Sequence, residues 1–190
     1  YSLDASTIDL CLSVFPWADF RTTKGAVKLH LGLNHDGFLP EFVTITEGKD
    51  HDVTIGRLLN FPKGSIVAMD KGYNDYGWYK QLTDNEIFFV TRLKTNAKYR
   101  IKQRRSVLKN KGLTSDQTIE FTGKEISKKC PTSLRRIGYR DALTGKHYIF
   151  LTNNFKLSAR TIADIYKARW QVELFFKWIK QNLKIKSFVG

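Results

Sequence analysis

Between Ser158 and Lys184, apolar and polar residues repeat with the period of an α-helix. Ile165, Val172, Phe175, Phe176, Ile179 and Leu183 form an apolar arc. Beside it Tyr166, Arg169, Glu173 and Lys180 fall within roughly 60° of one another at about 100° per residue. The pattern predicts one long helix packed into a core, with a carboxylate flanked by cations at the core's edge. Ser158 is placed to cap it, and Leu157 and Ile162 occupy the positions of a hydrophobic staple. Trp170, Leu174 and Trp178 lie on another flank and read as a packing surface.

Upstream the period shortens to two. Tyr1 to Leu12 reads as a strand, and Val27 to Leu33 alternates apolar residues with Lys28, His30 and Gly32, which puts His30 on the polar side. Asp36-Gly37 turns the chain into a third strand at Phe42 to Thr46, so an antiparallel meander is expected. Asp50-His51-Asp52 offers acids to the first turn of a helix over Val53 to Phe61. Ser65 to Met69 is continuously apolar, as a strand buried on both faces would be, and it ends at Asp70. Asn74 can cap a helix over Asp75 to Leu82, and Ile87 to Thr91 is another strand. This order describes an α/β fold whose later strands are parallel.

Composition shifts at Lys94. Between Asn96 and Arg140 thirteen Lys or Arg residues stand against Asp116, Glu120 and Glu125. Segments of β type at Tyr99 to Lys102, Thr118 to Phe121, Arg136 to Arg140 and Tyr148 to Thr152 are punctuated by Gly112, Gly123 and Gly145. The expected organisation is a core of residues 1–94 and 153–190 with a basic, β-rich insertion at 95–152; a solvated loop region with ordinary surface charge is the plainer alternative. Over the 190 residues, 32 Lys plus Arg against 18 Asp plus Glu give a net charge of +14, which favours a polyanionic partner, nucleic acid before membrane. The two cysteines, Cys11 and Cys130, suggest neither a disulfide framework nor a zinc site, and a reducing interior follows. No apolar run is long enough to span a bilayer, and the chain, opening at Tyr1 inside a strand pattern, reads as an excised piece of a longer protein.

Three acids could do chemistry: Asp4 in the first strand, Asp70 at the end of the buried strand, and Glu173 on the long helix. Carboxyl ends of parallel strands and adjoining helix faces line the usual crevice of an α/β sheet. Converging carboxylates repel unless cations neutralise them, and hard oxygen donors suit Mg²⁺ or Mn²⁺, which in pairs can promote phosphodiester transfer. Taken singly, Asp4 reads equally as a strand-edge acid, Asp70 as a turn former, and Glu173 as a salt-bridge partner of Arg169 or Lys177.

The spacing Tyr166-x2-Arg169-x3-Glu173-x6-Lys180 resembles the Y-R-E-K signature of bacterial insertion-sequence transposases of the DDE group, of the IS-four and transposon-five types. Leu3 to Thr7, Ala68 to Tyr73 and Phe20 to His30 resemble that family's two aspartate regions and the block that follows the first. The resemblance implies an RNase H-like mixed sheet flanked by helices, with the β-rich insertion before the helix that bears the glutamate. It implies that Asp4, Asp70 and Glu173 are catalytic and hold two Mg²⁺ ions, with Mn²⁺ able to substitute. It also implies that Tyr166, Arg169 and Lys180 bind phosphates near the cleaved DNA end. DNA, both transposon ends and target, is the implied partner. A homodimer of the full-length protein is the implied assembly, and the bacterial cytoplasm, at the nucleoid, the implied setting. The insertion lacks Trp, so any base flipped during hairpin formation would stack on Tyr99, Phe121, Tyr139 or Tyr148. A hydrolytic nuclease of the same fold and a non-catalytic DNA-binding module are the rival readings.

Overall fold

A computed structural model describes residues 1–10, 19–21, 24–37, 39–108, 111–182 and 187–188. In chain order the elements are β1 (Ser2–Leu10), β2 (Asp19–Arg21), β3 (Lys24–Asn34), β4 (Leu39–Glu47), α1 (Asp52–Gly56), β5 (Ile66–Met69), α2 (Tyr76–Asp84) and β6 (Phe88–Arg92). There follow β7 (Tyr99–Arg105), β8 (Leu113–Phe121), α3 (Lys124–Lys129), β9 (Leu134–Arg140), β10 (His147–Thr152), α4 (Ala159–Ala168), α5 (Trp170–Asn182) and β11 (Ser187–Phe188). They group into two compact units, Tyr1–Leu59 with Arg169–Gly190, and Asn60–Ala168.

In the first unit the expected meander is present. The strand β3 pairs antiparallel with β1 on one side and β4 on the other, short β2 pairs with the start of β3, and β11 runs parallel to the end of β1. Leu31 and Leu33 of β3 meet Val172 and Phe176 of α5, one helical turn apart, and these four form the buried cluster. The other face of β3 is not the surface expected for it. His30 is 1% exposed, with Nε2 2.9 Å from Thr46 Oγ1, and Lys28 Nζ lies 3.0 Å from Asp52 and 2.6 Å from the Asp50 carbonyl. The Asp50–Asp52 segment thus folds over the polar face of β3. Asp52 serves Lys28 instead of capping α1, whose cap residue, His51, makes no side-chain capping bond.

In the second unit the strands run in the order β5-β6-β10-β9-β8-β7, with β5 and β6 parallel and every later pair antiparallel. The segment 95–152 therefore continues one sheet from β6 outward. It also contains α3, a short helix that the sequence pattern did not announce. Phe150 anchors the core, its ring 4.9 Å from Tyr166 and 6.0 Å from Tyr148, with Ile162 and Ala163 of α4 buried alongside. Tyr79 of α2 stacks on Phe89 at 4.5 Å. Asp75, not Asn74, caps α2, accepting from the Trp78 N–H at 2.7 Å. Asn74 instead donates to the Arg92 carbonyl at 3.0 Å and pairs with Thr91 and Tyr79. The Asp116–Arg135 ion pair is buried and bidentate, at 2.9 and 2.7 Å, with Arg135 Nη1 also donating to the carbonyls of Asn154 and Leu157. One of the thirteen cations of the basic segment is thus internal.

The single long helix predicted from the periodicity is two helices. A turn at Arg169 separates α4 from α5. Ile162, Ala163 and Tyr166 belong to the core of the second unit, and Val172 and Phe176 to that of the first, so each half keeps the phase of its own core. Leu183 and Lys184, the end of the predicted helix, lie outside the described residues. At the start of α4, Ser158 Oγ accepts from the Thr161 N–H at 3.0 Å, and Leu157 and Ile162 join one cluster, as capping and stapling require. On α5, Trp170 and Trp178 are 58% and 57% exposed.

Candidate active site

In the first unit, Asp4 is fixed by the inward neighbour that precedes it, for Leu3 is 1% exposed and alternation turns the next side chain to the opposite face. Glu173 stands in the first turn of α5, where a carboxylate is favoured by the unpaired N–H groups. Arg169, at the turn before that helix, bonds both acids: Nη1 donates to Asp4 Oδ2 at 3.0 Å and Nη2 to Glu173 Oε1. The other Asp4 oxygen accepts the Ala5 N–H at 2.9 Å. Burial raises the Asp4 carboxyl above its ordinary range, and the guanidinium only partly offsets this. Asp4 and Glu173 line an open cleft of about 480 Å³ with Ser6, Phe176, Lys177 and Lys180. Lys180 Nζ is tethered to the Thr7 carbonyl at 2.9 Å.

In the second unit, Asp70 follows the buried strand β5 and Arg92 ends β6. Ala68 pairs with Val90, 22 residues on, and Arg92 is likewise 22 residues beyond Asp70, so the parallel register delivers the two side by side. Arg92 Nη2 donates to Asp70 Oδ1 at 2.8 Å, and its guanidinium lies 5.9 Å from the centre of the Tyr166 ring. Tyr166 is buried and directs its hydroxyl to the same carboxylate oxygen at 3.5 Å. Arg92 was not singled out from the sequence. The available signal was the common ending of two neighbouring apolar strands in an acid and a base.

Of the six residues picked from the sequence, Asp4, Arg169, Glu173 and Lys180 share one unit, and Asp70 and Tyr166 share the other. Among the described residues, no group of three or more His, Cys, Asp or Glu is arranged as a metal cage. Asp4 and Glu173 nonetheless fit a hard divalent cation by the chemistry of their donors: two carboxylates are drawn to one positive group at the edge of a cleft. Of the four aromatics considered for base stacking, Phe121 and Tyr139 are buried, and Tyr99 and Tyr148 are half-buried.

The fold and site together define a mixed α/β protein with acids at strand and helix ends beside cationic side chains. More narrowly, a family model described as the transposase DDE domain matches residues 1–188, and the chain belongs to that family. A Sinorhizobium fredii protein named as a transposase is 39% identical over 178 residues, covering 92% of this chain and 49% of that protein. A Geobacillus stearothermophilus protein, named as a transposase for insertion sequence element IS5377, is 30% identical over 190 residues, covering 99% of this chain and 49% of its own length. The chain thus spans about half the length of these relatives. Among solved structures, a piggyBac transposase in a synaptic complex with hairpin DNA superposes with a TM-score of 0.54 at 10% identity, over 94% of this chain and 40% of that one. This likeness bears out the RNase H-like fold. No helix among the described residues is long and apolar enough to cross a membrane.

Proposed function

We propose that this chain is the catalytic part of a DNA transposase that cuts the ends of an insertion sequence and joins them to target DNA. The observation that carries the reading is the joining of two acids, 169 positions apart in sequence, on one guanidinium beside a lysine-edged cleft. A carboxylate held by a cation and facing a cleft is placed to exchange that partner for a metal ion, and neighbouring lysines are placed to meet phosphates. In this reading Asp4, Asp70 and Glu173 hold the Mg²⁺ ions, which when bound supply an activated oxygen nucleophile and stabilise the leaving oxygen. Lys180, tethered to β1, and Arg169 orient phosphate oxygens near the cut. Arg92 and Tyr166 hold the Asp70 carboxylate in place. The strands and helix of 95–152 form the basic insertion along which DNA runs. The full-length protein works as a dimer on two transposon ends, in the bacterial cytoplasm at the nucleoid.

The test uses the full-length protein with labelled duplexes carrying the element's ends, plus target DNA and Mg²⁺. Strand-transfer products are expected, and Asp70→Asn should abolish cleavage and transfer while leaving DNA binding within about threefold of wild type. Nicks without joined products would make the protein a hydrolytic nuclease, and unchanged activity in Asp70→Asn would refute the site.

A further inference from the structure

Arg169 is 7% exposed, so its charge requires partners within the fold, and it takes one from each of two elements: Asp4 on β1 and Glu173 on α5. The two acids differ in what they could do without it. Asp4 has a side chain 19% exposed and, among the described residues, has only the Ala5 N–H as a further donor, whereas Glu173 is 43% exposed and can turn to water. One guanidinium between two carboxylates leaves the trio itself with a net charge of −1, with Lys177 and Lys180 further along the cleft. A divalent ion seated on the same oxygens would stand beside the guanidinium, like charge against like. Occupation by one therefore excludes the contact of the other. Arg169 stands in the turn between α4 and α5, where its carbonyl accepts the Val172 N–H at 3.0 Å, so the exchange involves its side chain alone.

We propose that Arg169 is an exchangeable counter-ion of the Asp4–Glu173 pair, holding the two acids together in the metal-free protein and releasing them as a divalent cation binds. This rests on the reading of Asp4 and Glu173 as metal ligands. The exchange orders the events at the site: the released guanidinium, still beside the cleft, becomes available to a phosphate only once the acids have found another partner. In the metal-free state it also spares the fold two facing carboxylates, one of them half-buried, with no cation between them.

The test is binding of Mn²⁺ to the DNA-free protein, followed by the electron paramagnetic resonance of the unbound ion, in wild type, Arg169→Gln, Arg169→Lys and Asp4→Asn. Arg169→Gln should bind Mn²⁺ at least about threefold more tightly than wild type. Its metal-free melting temperature should be lower, and the gain on adding Mn²⁺ larger. Arg169→Lys, whose point charge cannot bridge both acids, should fall between the two. A second readout needs no weakened variant: the side-chain Nε–Hε nuclear magnetic resonance signal of Arg169, identified by its loss in Arg169→Lys, should shift as Mg²⁺ is titrated into wild type. Binding that depends on Asp4 but is equal in wild type and Arg169→Gln, or weaker in the latter, would overturn the exchange and leave the metal site standing. So would an Arg169 signal unmoved at saturating Mg²⁺. Binding indifferent to Asp4→Asn would overturn the metal reading itself, and the exchange with it.

Discussion

At the scale of single residues, the charged side chains sort by what surrounds them. Arg135 reads in the sequence as one more cation in a basic stretch, yet it is buried with all of its paired donors turned inward to Asp116 and two carbonyls. Removing one partner leaves the other charge buried and uncompensated, so Asp116→Asn should destabilise the protein by about 3 kcal/mol or more in urea denaturation. An effect under about 1 kcal/mol would show that water reaches the pair. The bond of Asp141 to Lys167, 2.7 Å long, gives a prediction with a sign. The Lys167 ammonium, chiefly through its hydrogen bond, with the Thr144 N–H assisting, depresses the Asp141 carboxyl far below its ordinary value of 3.8. A depressed carboxylate contributes stability that is complete above the unfolded value and is lost as pH falls through the folded one. Wild type should therefore melt higher than Asp141→Asn at pH 7, and the gap should narrow as pH drops below about 4. A gap that stays constant with pH would remove the ion pair as its cause.

Helices and strands show how far a period can be read. The alternation of β3, the apolar run of β5 and the staple at the start of α4 were all legible, because each is a local pattern that one buried face imposes. The break at Arg169 was not, since the one turn residue takes the place of one helical residue in the count, and the residues on either side still fit a single wheel. His30 was misplaced for a related reason: alternation reveals that a strand has two faces, but not that the distant Asp50–Asp52 segment covers the second. At the candidate site, Asp4, Asp70 and Glu173 were legible as acids at element ends, whereas Arg92 needed the parallel register of β5 and β6, which no local pattern carries. The cap of α2 was displaced by one residue because Asn74 is drawn to the Arg92 carbonyl and Thr91. Asp75→Ala should accordingly cost about 1 kcal/mol in denaturant unfolding, the usual loss of a capping side chain. No change would mean that the Trp78 N–H finds another acceptor. In the β8–β9 pair, the strands approach at Gly138 so closely that an added Cβ would lie 2.3 Å from Thr114 Oγ1 and 2.6 Å from Ser115 Oγ. The pairing register shifts at this point, between Leu113 and Ser115.

For the whole molecule, the net charge of +14 has to be apportioned before it says anything about DNA. Within the basic segment, Arg135 is consumed internally, Arg105 and Arg136 are half-buried, and Arg100 and Lys102 both answer Glu120. Arg104 on β7 and Lys128 and Lys129 on α3 are exposed, and Lys128 makes a long contact of 3.8 Å with Glu125. Phosphate contacts by such side chains release condensed counterions, and each adds about 0.9 to the slope of log affinity against log salt. Binding of this protein to duplex DNA should therefore weaken steeply as salt rises. Replacing Arg104, Lys128 and Lys129 together with Ser should lower the slope by about 2 to 3 while leaving thermal stability nearly unchanged, since none of the three is buried. A slope unaltered by the triple replacement would move the DNA track off β7 and α3. The exposed lysines of the first unit, beginning with Lys177 at the edge of the cleft, would then be the cations to replace next.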